Sequence, residues 1–90
     1  MEKGKITILA DVREKYSGVV SALYDEGALI ELKALPIGDF LCSSRVAVEV
    51  KRASDFVNSI IDGRLLQQLK EMKENFERPV VIIEGAGEQD

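Results

Sequence analysis

The chain has 90 residues, is 46% hydrophobic and 31% charged, and carries a net charge of −4. That length allows one small domain and no second core. No histidine is present and the single cysteine is Cys42, which excludes histidine general-base and Ser-His-Asp chemistry, nearly all zinc sites and any intrachain disulfide.

In chain order, Met1-Glu2-Lys3-Gly4-Lys5 lacks the apolar core and cleavage site of a signal peptide. Lys5–Ala10 reads as a buried strand ending at Asp11, and Asp11–Lys15 as a charged loop. Ser17–Glu26 carries Val19, Val20 and Leu23 at helical spacing, with Gly27 suited to the position after the helix. Leu29–Leu35 alternates as a half-buried strand does, and Pro36-Ile37-Gly38 breaks it. Asp39–Cys42 and Arg45–Arg52, joined across Ser43-Ser44, form an antiparallel hairpin signal, with Cys42 expected to pack as a small apolar residue. Ser54 is a candidate N-cap for a helix over Asp55–Asp62, with Phe56, Val57, Ile60 and Ile61 on one side and Gly63 as its stop. Leu65–Phe76 is a second helix with Leu65, Leu69, Met72 and Phe76 as its stripe. Lys70, Lys73 and Arg78, interleaved with Glu71, Glu74 and Glu77, read as a solvated face. Pro79–Ile83 is a closing strand, far shorter than the roughly 20 apolar residues a membrane helix needs, and Glu88 and Asp90 lie in a polar tail.

The order β-α-β-β-β-α-α-β predicts an α/β domain with a mixed sheet and helices on its faces. The first and last strands are apolar enough to be central parallel strands. A lone cysteine and the lack of a leader point to a reducing, intracellular setting with no membrane partner.

The strand Val46-Ala47-Val48-Glu49-Val50-Lys51-Arg52 carries the chemistry. Alternation puts Val46, Val48, Val50 and Arg52 on one face and Ala47, Glu49 and Lys51 on the other. An otherwise apolar strand thus projects an acid and a lysine together. A bare Glu-x-Lys pair on a strand is most often a solvated edge face. Here Asp39 opens the partner strand and the hairpin brings it near Glu49, while Asp11 ends the first strand, where open α/β sheets build their sites. Converging carboxylates need a cation to stay ionised together, and hard oxygen ligands favour Mg²⁺ or Mn²⁺. A lysine beside such a cation can stabilise charge developing on a phosphoryl oxygen.

Gly38-Asp39-x9-Glu49-Val50-Lys51-x3-Asp55 resembles the Gly-Asp-xn-Glu-Arg-Lys-x3-Asp signature of the XPF-type (ERCC4-domain) structure-specific DNA endonucleases, which include the archaeal XPF and Hef nucleases. Leu9–Glu14 resembles the family's opening strand and Asp-x-Arg-Glu turn, Asp55–Leu65 the following helix, glycine stop and arginine, and Arg78–Gly85 the later core strand. The resemblance implies a restriction-endonuclease-like three-layer core that cuts branched DNA (flaps, forks and splayed arms) with Mg²⁺ or Mn²⁺, in repair or replication restart. Carried over by position, it makes Asp39 and Glu49 metal ligands, adds the Val50 carbonyl, lines the site with Asp11, and makes Lys51 the catalytic lysine. Arg13, Glu14 and Arg64 then surround the metal or grip phosphates, and Asp55 holds the hairpin against the next helix. Family members work as pairs, which implies a homodimer or heterodimer in the full-length protein.

Two departures stand out. The family's central arginine is Val50 here, with Arg52 two residues on and on the same face. The family domain also continues beyond the Ile-Glu-Gly strand, so a chain ending at Asp90 reads as a single core that is either truncated or naturally short. The competing functional reading is a non-catalytic, nuclease-like scaffold subunit paired with an active partner. Retention of Asp39, Glu49, Lys51 and Asp55 favours the enzyme.

Overall fold

A computed structural model describes residues 6–85. Alternating β-branched and apolar residues form β1 (Thr7–Asp11), which runs into a 3₁₀ turn at Val12–Glu14. There the Asp11 carboxylate accepts from the Arg13 N–H. Ser17 caps α1 (Gly18–Asp25) by accepting from the Val20 N–H, one residue from the helix start read in the sequence. Next come β2 (Leu29–Lys33), β3 (Phe40–Leu41), β4 (Val46–Arg52), α2 (Ala53–Ile61), α3 (Arg64–Asn75) and β5 (Arg78–Glu84). The strand and helix order is the expected one.

The strands form one mixed sheet in the order β2-β1-β3-β4-β5. β1 pairs with β2, and β4 with β5, in parallel; β3 pairs antiparallel with both β1 and β4. The short β3 therefore sits at the centre and brings the ends of β1 and β4 to a common place.

Ile8, Ala10, Phe40 and Val48 form the core on one face, where Val19, Val20 and Leu23 of α1 pack against them. α3 lies over the opposite face, with Leu65 and Met72 buried and Gln68 reaching Glu49. The face assignment of β4 follows the alternation: Ala47 and Glu49 are buried on the α3 side and Val48 joins the α1 side. Met72 is among the largest fully buried side chains, and truncating a buried methionine to alanine costs about 2–5 kcal/mol.

Five local expectations are corrected. β5 is not a central strand: it lies at the sheet edge beside β4, and Val80, Ile82 and Ile83 are exposed. β2 ends at Lys33 rather than Leu35, because the Leu35 N–H leaves the ladder and donates to the Asp11 carboxylate. α2 begins at Ala53 without a side-chain cap, since β4 turns directly into it at Arg52, so Ser54 lies inside the first turn. Its inward contact uses Ser59, fully buried, while Val57, Ile60 and Ile61 are exposed, Ile61 by 77%. Cys42 is exposed rather than packed, because β3 has already ended and Cys42 starts the turn, its N–H donating to the Val46 carbonyl. The tail residues Glu88 and Asp90, and Met1–Lys5 at the other end, lie outside the described residues.

Candidate active site

The hairpin register sets the carboxylates side by side. Phe40 pairs with Val48 and Leu41 with Ala47. Asp39, just before β3, continues that pattern: its N–H donates to the Val48 carbonyl at 2.8 Å, and its own carbonyl accepts from the Asp11 N–H at 2.8 Å. Its carboxylate Oδ2 accepts from the Val50 N–H at 2.8 Å, which ties the side chain to β4. Gly38 makes the approach possible with φ +81°, a conformation that strains other residues.

Glu49 is 9% exposed on the same side of the hairpin. Its Oε2 accepts from Gln68 Nε2 at 3.3 Å and lies 3.6 Å from Lys51 Nζ. Burial pushes the Glu49 carboxyl up, and the Asp39 charge adds to the effect; Lys51 and Arg13 pull it back. Among the described residues no donor reaches the other oxygens, Asp39 Oδ1 and Glu49 Oε1.

Both acids line a cavity of about 240 Å³. Arg13, Gln68 and Glu71 complete its polar wall, and Pro36–Gly38 and Met72 the remainder. Arg13 is held there by Asp11, whose Oδ2 accepts from the Arg13 N–H at 2.9 Å and from Nε at 2.6 Å. Asp11 Oδ1 accepts from the Leu35 N–H at 2.8 Å. These bonds, Arg13 first, lower the Asp11 carboxyl to about 2.

The sequence-derived site residues therefore separate into groups. Arg13, Asp39 and Glu49 meet at the cavity, and Lys51 stands against Glu49. Asp11 does not line the cavity: it is buried beside it with both oxygens already accepting, and its contact with the site runs through Arg13. Glu14 is half-buried and pushed up by burial and by the charges of Asp39 and Asp11, but it does not line the cavity. Asp55 is exposed in the first turn of α2, and Arg64 is taken up by Asp62, which accepts from its Nε at 2.7 Å. Sequence reasoning missed Gln68. The signal was available: Gln68 stands between Leu65 and Met72 on the inward stripe of α3, a polar residue where an apolar one is expected.

Among the described residues no group of three or more acidic or thiol side chains is placed to hold a metal ion. The donor set at the cavity is the Asp39 and Glu49 carboxylates, with Glu71 also on its wall and room for water. That composition fits Mg²⁺ or Mn²⁺, which commonly bind one or two carboxylates and keep several waters, and it does not fit zinc.

The fold and this hairpin define a nuclease-type α/β core of the kind found in XPF. XPF from Aeropyrum pernix, in complex with DNA, superposes with a TM-score of 0.86 at 41% identity, covering 90% of this chain and 40% of that one. The ERCC4 domain model matches residues 10–90, and the chain belongs to that family. Its relatives include the 3′-flap repair endonuclease Xpf of Saccharolobus solfataricus, 36% identical over 89% of this chain and 34% of that protein. A protein of Methanocaldococcus jannaschii, provisionally named an ATP-dependent RNA helicase, is 52% identical over 92% of this chain and 10% of its own length. The chain thus spans 40% or less of the length of each of these proteins. No helix among the described residues is long and apolar enough to cross a membrane.

Proposed function

We propose that this domain is a divalent-metal-dependent nuclease core that hydrolyses phosphodiesters in branched DNA such as flaps, forks and splayed arms, within a paired assembly acting in repair or replication restart. The observation that carries the reading is the convergence of Asp39 and Glu49 from adjacent strands onto one polar cavity, each with an oxygen not taken by a described donor. It is supported by membership of a family whose relatives are named DNA repair endonucleases.

Asp39 and Glu49, with the Val50 carbonyl, are the groups that would hold Mg²⁺ or Mn²⁺. Such a cation neutralises charge at the scissile phosphate and makes nearby water more acidic. The chain's own residues prepare the rest. The Val50 N–H fixes the Asp39 carboxylate by hydrogen bonding to Oδ2. Lys51 sets a cation against Glu49, from which it would stabilise charge developing on a phosphoryl oxygen. Arg13, oriented by Asp11, offers a guanidinium at the cavity wall for a phosphate oxygen. Asp11 acts in this reading by positioning Arg13 rather than as a ligand, and Glu14, Asp55 and Arg64 carry no step.

The test is incubation of the chain at high concentration with labelled flap or splayed-arm DNA and Mn²⁺. Cleavage near the branch, sparing plain duplex and abolished by EDTA, is expected. A second reading is a non-catalytic scaffold subunit paired with an active partner; the committed Asp11 and the lack of a three-ligand cluster among the described residues favour it. Absence of Mn²⁺ binding together with absence of cleavage would select that reading.

A further inference from the structure

Gln68 is a polar residue on the inward face of α3, between the buried Leu65 and Met72. Its amide reaches across to the sheet, where Nε2 donates to Glu49 Oε2 at 3.3 Å. Its Oε1 is buried and has no hydrogen-bond partner, the one such side-chain atom among the described residues. Leaving a buried acceptor unpaired costs about 1–3 kcal/mol. Amide oxygen and nitrogen are assigned from their partners. Exchanging them would set two oxygens against each other at Glu49, so the donor belongs on Glu49 and the unpartnered atom is the acceptor, on a residue that helps to line the cavity. That cavity is polar and large enough for water.

From this geometry we propose that Gln68 is a positioning residue of the metal site: its amide N–H fixes Glu49 through Oε2, leaving Glu49 Oε1 for the cation. The inference rests on the metal-dependent reading above. Gln68 and Lys51 act together on the same oxygen, Glu49 Oε2, from opposite elements, one from α3 and one from β4. Partners that orient a metal-ligating carboxylate in this way typically affect metal affinity by about 10–100-fold. No part of the fold needs the carbonyl, because an apolar side chain of similar length would leave no orphaned acceptor.

Calorimetric Mn²⁺ titration of the 90-residue chain and of Gln68→Met, with melting of both in EDTA, tests this directly. Gln68→Met is expected to bind Mn²⁺ roughly tenfold or more weakly, while its EDTA melting temperature is unchanged or higher. In the parent chain, the side-chain amide resonances of Gln68 are expected to shift on addition of Mg²⁺, a measurement that needs no variant. If the parent binds Mn²⁺ and Gln68→Met binds it equally well, or if the Gln68 amide does not respond to Mg²⁺ at saturation, the positioning role is overturned and the metal site stands. If the parent binds no Mn²⁺, the metal-dependent reading fails and the positioning role falls with it.

Discussion

Asp11 organises much of the site from outside the cavity. Its two oxygens accept from the Arg13 N–H, Arg13 Nε and the Leu35 N–H, which pins the 3₁₀ turn, the end of β2 and the cavity-lining arginine together. Its carboxyl is lowered from 3.8 to about 2. A lowered folded value means that its stabilisation is complete above pH 3.8 and is lost as pH falls through about 2. Melting temperatures measured across that window should fall steeply for the parent. They should fall less for Asp11→Asn, which starts lower because its amide NH2 sets a donor against either Arg13 or the Leu35 N–H. Glu49 has the opposite sign. Its carboxyl is raised by burial and by Asp39, so its penalty to the metal-free fold is present at neutral pH and disappears on acidification towards 4.5. Lys51 acts at the same scale. Lys51→Ala removes a contact that holds Glu49 but also a cation that repels Mn²⁺, so Mn²⁺ affinity should stay within a few-fold of the parent while cleavage falls roughly 100-fold or more, as loss of one preorganised electrostatic group does. Equal cleavage rates for the two would remove Lys51 from the mechanism.

At the scale of elements, the β3–β4 hairpin sets the site by register alone. Gly38 holds φ +81°, and an added Cβ would meet the Val48 carbonyl and Ala47 at ordinary contact distances of 3.5 and 3.6 Å. The cost of Gly38→Ala is therefore conformational rather than steric, about 1–2 kcal/mol, and it falls on the residue next to Asp39. Chemical denaturation should show that loss, with Mn²⁺ affinity weakened as well; an unchanged midpoint would contradict the hairpin account. The alternation of β4 was legible in the sequence because a period of two leaves little choice once one face is apolar. The Asp39–Glu49 neighbourhood was legible for the same reason, since two strands and a short turn fix their register. β5 was not legible: an apolar run such as Pro79–Ile83 has the same composition at a sheet edge as at its centre. The outward placement of Val57, Ile60 and Ile61 was hidden for a related reason, because periodicity gives an apolar face but not what covers it. Gln68 was overlooked because α3 was read by its apolar stripe, and the polar residue within that stripe carried the information.

For the molecule as a whole, charge and exposed apolar surface point outwards. A net charge of −4 gives little electrostatic attraction to phosphates. The isolated chain should bind DNA only at about 10⁻⁴ M or more weakly at physiological salt, by fluorescence anisotropy, and a sub-micromolar dissociation constant would refute that. Ile60, Ile61, Leu66 and Ile82 are exposed, so concentration-dependent sedimentation is expected; a compact monomer at all concentrations would argue against pairing through these faces. The chain spans 40% of the Aeropyrum XPF chain. In the proposed function Asp39 and Glu49 form one cation site. Its most direct measurement is calorimetric Mn²⁺ titration of the parent against Glu49→Gln, with both proteins melted in EDTA. Glu49→Gln is expected to bind Mn²⁺ at least roughly tenfold more weakly and to melt at a higher temperature without metal, because a buried charge beside Asp39 has been removed. Equal Mn²⁺ affinity in the two proteins would contradict it.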